Sequence, residues 1–148
     1  MNFLFIYLNV LSQKQIFKVR ETWIEVNSNP EQFGLAFYNN LFDLAPELRP
    51  MFKTDLQTMA FKFSIMLAFL VNRLNKLDLI EQEINNLAVI HNKHLVKPEH
   101  YRITKQALVL TLKNKLARKY DIEADTAWQL AFDTISDILI DAQAKNSS

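Results

Sequence analysis

Residues 77–94 read LDLIEQEINNLAVIHNKH. Leu77, Ile80, Ile84 and Leu87 recur at helical spacing, and Glu81, Gln82, Glu83, Asn85 and Asn86 fill the opposite face, the pattern of an amphipathic helix. Continuing the apolar stripe lands on His91, one turn before the pattern runs out near His94. Residues on one stripe point the same way, so this imidazole is directed into the core. Two readings are open for it. One is a core histidine hydrogen-bonded to a carbonyl. The other is a metal ligand, including the proximal ligand of haem iron, since neutral imidazole is the commonest metal ligand.

The composition around this stretch narrows the fold. A chain of 148 residues makes one domain with one core. One glycine and four prolines, set against 49% apolar residues and eleven phenylalanines, leave little material for hairpin turns and much for long packed helices. The expected class is all-α. Seventeen Lys and Arg against sixteen Asp and Glu, a net charge of +1, give no electrostatic footprint for nucleic acid or an anionic membrane. A small neutral ligand fits better. With no cysteine there is no disulfide framework, thiolate metal site or cysteine nucleophile, as suits a cytoplasmic protein. The opening MNFLFIYLNV is apolar but shorter than the ~20 residues of a membrane span. It also lacks the basic segment and cleavage site of a signal peptide. Residues 1–10 are therefore read as a short extension, and 144–148 as a polar, frayed tail.

Between them, Ser12 with Gln15 forms a capping box for a first helix whose inner face is Ile16, Val19, Trp23 and Val26. Asn29 before Pro30 caps a second, in which Gly34 sits where alanine would be about 1 kcal/mol better, unless another helix crosses close by. Pro46 and Pro50 allow one short helical turn. Thr54 with Gln57 predicts a second capping box opening a long helix to about Asn75, apolar nearly all round, with Met59, Phe63, Met66 and Leu70 on one stripe. The 77–94 helix follows. Pro98 opens the next, with Tyr101, Leu108 and Leu112 inward. Asp121 or Asp125 caps the last, where Trp128, Ala131, Ile135, Ile138 and Ala142 share a face. Six substantial helices result, with no strand.

Pro46 stands six residues before Phe52, Tyr38 fourteen before it and His91 thirty-nine after it. Together with the LFDLAPELRPMF stretch, the KPEHY after the histidine, Trp23 and Trp128, these spacings resemble bacterial single-domain globins and the haem domains of flavohaemoglobins. The resemblance runs from about Leu11 to Ala142, within a globin domain drawn at 11–143. It implies a globin fold of six to eight helices around a haem pocket, and a close helix crossing at Gly34 and Ala60. It further implies haem b, with His91 as proximal iron ligand, Phe52 stacked on the macrocycle and Tyr38 donating to a bound diatomic ligand. Lys62 would reach a propionate, Met59 and Phe63 would line the distal side, and Met66, Leu87 and Tyr101 would make further cofactor contacts.

The sequence departs from the family pattern at the distal position, where many relatives carry glutamine or histidine and Met59 stands here. Methionine donates no hydrogen bond, so it either lines the pocket or places its thioether on the iron opposite His91. In flavohaemoglobins a glutamate completes the network behind the proximal tyrosine. Gln143 takes that place here, and a neutral amide weakens electron donation from the imidazole. His94 and His100 read as surface residues. The resemblance leaves three functions open. The first is reversible binding of oxygen or another diatomic gas, for transport or storage. The second is nitric oxide dioxygenation with a separate reductase, and the third is electron transfer or sensing at a six-coordinate Met59/His91 iron.

Overall fold

The structure is a computed structural model that describes residues 10–147. Residues 1–9 of the expected extension, and Ser148 of the expected tail, lie outside the described residues. Within them the regular structure is entirely helical.

Helix α1 (Gln13–Val26) begins at the expected capping box: the Ser12 hydroxyl accepts from the Gln15 N–H at 3.1 Å and the Gln15 side chain accepts from the Ser12 N–H at 2.9 Å. Ile16, Val19, Trp23 and Val26 are buried on one face, as the spacing predicts. Helix α2 (Pro30–Leu44) is capped by Asn29, whose side chain accepts from the Gln32 N–H at 3.0 Å. The two prolines then confine the chain to a 3-10 turn over Pro46–Met51.

Helix α3 (Leu56–Val71) corrects both of its predicted ends. Asp55, not Thr54, is the cap. Its carboxylate accepts from the Thr58 N–H at 2.9 Å and the Thr58 hydroxyl at 2.7 Å, a stronger pairing than an uncharged Thr54–Gln57 box offers. At the far end, Arg20 of α1 donates to the carbonyls of Val71 and Asn72 and to the Asn75 side chain. A guanidinium that satisfies terminal carbonyls removes the advantage of continuing the helix.

The 77–94 stretch is likewise divided, into a 3-10 turn (Leu77–Ile80) and helix α4 (Glu81–Lys93). Helix α5 runs Pro98–Leu116 with Tyr101, Leu108 and Leu112 buried. Helix α6 (Ile122–Asn146) is capped by Asp121, which accepts from the Ala124 N–H at 2.8 Å. Residues 144–146 are helical rather than frayed, because Asn146 donates to the Ala142 carbonyl at 2.7 Å and to the Asn85 side chain at 3.2 Å.

Packing follows from the sequence's small residues. Helices α2 and α3 cross at Gly34 and Ala60, where a Cβ on Gly34 would collide with the Ala60 backbone. The fully buried Ser64 hydroxyl donates to the Pro30 carbonyl at 2.6 Å beside this crossing. Trp23 meets Phe33 edge-on and Trp128 at a tilt, and the Trp128 indole N–H donates to Thr22 Oγ1 at 2.8 Å. The apolar interior is divided in two. One part joins α1, α2, α3, α5 and the first half of α6, and holds Phe33, Phe37, Tyr38, Met59, Ala60 and Trp128. The other holds Leu70, Leu77, Ile80, Ile84, Ala88, Tyr101, Ile138 and Ala142. Helix α3 packs on α2 and α4 packs on α6, with no comparable contact between α3 and α4.

Candidate functional site

His91 lies on the last turn of α4, which buries Ile84 and Ala88 against α6. Its ring is half-buried, with Nδ1 2.7 Å from the hydroxyl of the buried Tyr101. The Tyr101 hydroxyl donates to Gln143 Oε1 at 2.5 Å. The Gln143 amide nitrogen donates to Asn92 Oδ1 at 3.1 Å and to the Val96 carbonyl at 3.0 Å, and Asn92 donates to the Gln143 main-chain carbonyl at 3.1 Å. Burial, then the adjacent His94, lowers the His91 pKa to about 4, so the ring is neutral at pH 7. His91 Nε2 has no hydrogen bond to any described residue.

Tyr38 sits on the inward face of α2, 8% exposed, in a cage of aromatic rings. The centroids of Phe37, Phe42, Phe52 and Phe63 lie 5.1, 5.8, 5.5 and 5.8 Å from its own. Its hydroxyl has no hydrogen-bond partner among the described residues. Burial pushes its pKa up to about 12, which keeps the O–H a donor over the whole physiological range. The surrounding rings leave this phenolic O–H free to donate to a ligand that enters beside it.

The other predicted residues take several places. Phe52 follows the proline-bounded turn, its carbonyl accepting from Arg49 at 2.7 Å, while the Arg49 guanidinium lies 5.3 Å from the Phe42 ring. Phe63 stacks on Phe37 at 3.9 Å with the planes 7° apart. Met59 is buried in the same part of the core as Tyr38, whereas Met66 and Leu87 are half-buried against the part that contains Tyr101. Lys62 is exposed, with no hydrogen bond or ion pair to another described residue. His94 is exposed, as expected. His100 is not: it is half-buried, and its Nδ1 accepts from the Lys97 N–H at 2.9 Å, which caps α5.

The chain thus brings Tyr38, Phe52 and Phe63 together by ring contact, and His91, Tyr101 and Gln143 by hydrogen bonds. Phe42, Asn92 and the Val96 carbonyl belong to these groups and escape a reading of apolar periodicity. Phe42, one turn after Tyr38, carried a usable signal; Asn92, a polar residue near a helix end, carried none.

A haem suits this donor set. Among the described residues no three or more His, Cys, Asp or Glu side chains converge on one metal position. A single imidazole kept neutral by burial fits a metal that arrives inside its own macrocycle. The half-buried apolar side chains Phe52, Phe63, Met66 and Leu87 suit the faces of such a ring. Two clefts elsewhere, of about 360 Å³ beside Asn40 and Thr111 and about 280 Å³ beside Val109 and Gln129, include none of these residues.

The helical fold and the half-buried His91 point to one class of protein. The chain belongs to the globin family, whose sequence model, Globin, matches residues 35–139. It is 28% identical to an anaerobic nitrite reductase of Brassica napus, over 92% of this chain and 93% of that protein. It is 26% identical to an anaerobic nitrite reductase of Arabidopsis thaliana, over 84% of this chain and 89% of the relative. A bacterial globin from Campylobacter jejuni matches in structure with a TM-score of 0.80 and 25% identity, covering 90% of this chain and 97% of that one. Family membership carries a haem cofactor and the binding of diatomic gases. No helix among the described residues is long and apolar enough to cross a membrane.

Proposed function

We propose that this globin binds haem b through His91 and holds oxygen or another diatomic gas reversibly on the side of Tyr38. One observation supports it above the rest: a neutral imidazole with Nδ1 engaged by Tyr101 and Nε2 unengaged, in the same fold as a caged phenol without a partner. The haem iron supplies an open coordination position for the gas. The chain supplies everything around it. His91 offers the Nε2 lone pair, Phe52 and Phe63 offer flat apolar surface, and Lys62 is free to reach a propionate. Tyr38 offers the one hydrogen-bond donor of its cage, in a largely apolar setting where such a bond gains strength. Met59 is 8% exposed within the core that contains Tyr38, and packing accounts for it as pocket lining.

Two of the relatives carry the name anaerobic nitrite reductase, and nitrite reduction is the second reading. It needs an external electron donor and a proton, and Tyr38 is the protonated group nearest in kind. Absorption spectra of the ferric and reduced protein, with and without carbon monoxide, test the first reading. A Soret band that shifts with carbon monoxide is expected; no Soret band after haem addition would overturn it. Nitrite turnover that depends on the Tyr38 hydroxyl would move the conclusion to the second.

A further inference from the structure

Behind His91, two side-chain amides and two main-chain carbonyls form a closed set of hydrogen bonds whose direction can be deduced. A carbonyl oxygen only accepts. The end of the Gln143 amide that lies 3.0 Å from the Val96 carbonyl is therefore its NH2 group, and the end of the Asn92 amide 3.1 Å from the Gln143 carbonyl is also NH2. Backbone atoms thus settle both amide orientations without an assigned flip. The two side chains then agree with each other, since Gln143 Nε2 meets Asn92 Oδ1 at 3.1 Å. What Gln143 turns toward Tyr101 is Oε1, an acceptor, 2.5 Å from the hydroxyl. Tyr101 has one proton and it goes to Gln143. Toward His91 the phenol oxygen presents only a lone pair, so the Nδ1 atom 2.7 Å away carries the ring's hydrogen.

We infer that Asn92 and Gln143, braced by the carbonyls of Val96 and Gln143, are positioning residues that lock His91 as the Nδ1–H tautomer and hold Nε2 as a bare lone pair. The inference deepens the reading of His91 as the haem ligand and rests on it. Asn92 acts through Gln143 and touches neither the ring nor the ligand pocket. Because the relay ends in amides and carbonyls, it accepts a hydrogen bond from the imidazole without offering a carboxylate to take the proton. The sequence alone hides this, since Asn92 and Gln143 stand fifty-one residues apart.

The test reads the ring directly, in full-length protein labelled with nitrogen-15. In the haem-free protein, His91 ring shifts should show a protonated Nδ1 and an unprotonated Nε2. Gln143→Met removes the acceptor at similar length and frees the Tyr101 proton to turn toward His91, so the population should move toward the Nε2–H tautomer. Asn92→Leu should shift it the same way by less. In the haem-loaded ferrous protein, the iron–histidine stretching frequency should fall in Gln143→Met and, by less, in Asn92→Leu. On a Tyr101→Phe background, Asn92→Leu should add nothing, as expected for members of one chain of contacts. A parent ring carrying Nε2–H, or an Asn92→Leu protein with unmoved ring shifts and stretching frequency, would overturn the lock. Failure of the parent to take up haem would instead count against the proposed function, while the haem-free ring shifts still decide the tautomer.

Discussion

Gly34 and Ala60 put the backbones of α2 and α3 in direct contact: a Cβ built on Gly34 would lie 2.6 Å from Ala60 Cα and closer still to its carbonyl. Both partners at this crossing are main chain, so relief requires moving a helix. Gly34→Ala, which would favour an isolated helix by about 1 kcal/mol, should instead destabilise the protein by about 3 kcal/mol or more. Denaturant unfolding of the variant measures this. An unchanged midpoint would show that the helices can separate freely.

Replacing His91 by alanine removes the imidazole proposed to hold the haem iron. The variant should fold, since the ring is only half-buried. It should not retain a Soret band after gel filtration. Full retention would transfer the ligand role to another residue.

Tyr38→Phe keeps the aromatic cage and deletes its donor. A hydrogen bond of about 1.5–3 kcal/mol to a polarised ligand corresponds to roughly a ten-fold or greater rise in the oxygen dissociation rate, read by stopped-flow displacement with carbon monoxide. A rate within twofold of the parent would mean that the hydroxyl does not face the ligand.

An unfolded tyrosine loses its proton near pH 10, whereas buried Tyr38 keeps it to about 12. Between these values the folded state binds more protons, so its contribution is whole below pH 10 and is lost as the pH rises through 12. Tyr101 and Tyr120 are also raised by burial, so only the difference between parent and Tyr38→Phe isolates this group. That difference should grow in favour of the variant by up to about 2–3 kcal/mol across the window. Parallel stability curves for the two proteins would contradict it.

Thr22 is the acceptor for the Trp128 indole at the buried junction of α1 and α6, and Thr22→Val keeps its shape while removing its oxygen. Leaving that N–H without a partner should reduce stability by about 1–3 kcal/mol, measured in urea, with little change in haem content. A neutral substitution would place water at the indole.

Periodicity suffices for the helices because each buries an apolar face that can be seen within one segment, as Ile16, Val19, Trp23 and Val26 do. Ends are harder. The α3 stop at Val71 is set by Arg20, fifty-one residues earlier, and no local signal reports a guanidinium arriving from another helix. Likewise the choice of Asp55 over Thr54 depends on which side chain reaches Thr58, a matter of a single residue in register. His91, Tyr38 and Phe52 enter the proposed site through their spacing and the family they resemble. The amide pair behind His91 was half legible: Gln143 stood out as a departure from a family position, whereas Asn92 gains meaning only when α4 lies on α6.

The divided interior carries a dynamic consequence. Because α4 rests chiefly on α6 and shares its cluster with only the end of α3, the segment bearing His91 can open without disturbing the Gly34–Ala60 crossing or the tryptophan pair. Amide hydrogens of α4 should therefore exchange through a smaller opening than those of α2. With His91 as the proposed haem ligand, the time the cofactor stays bound should follow the local lifetime of this thirteen-residue helix, and not unfolding of the whole molecule.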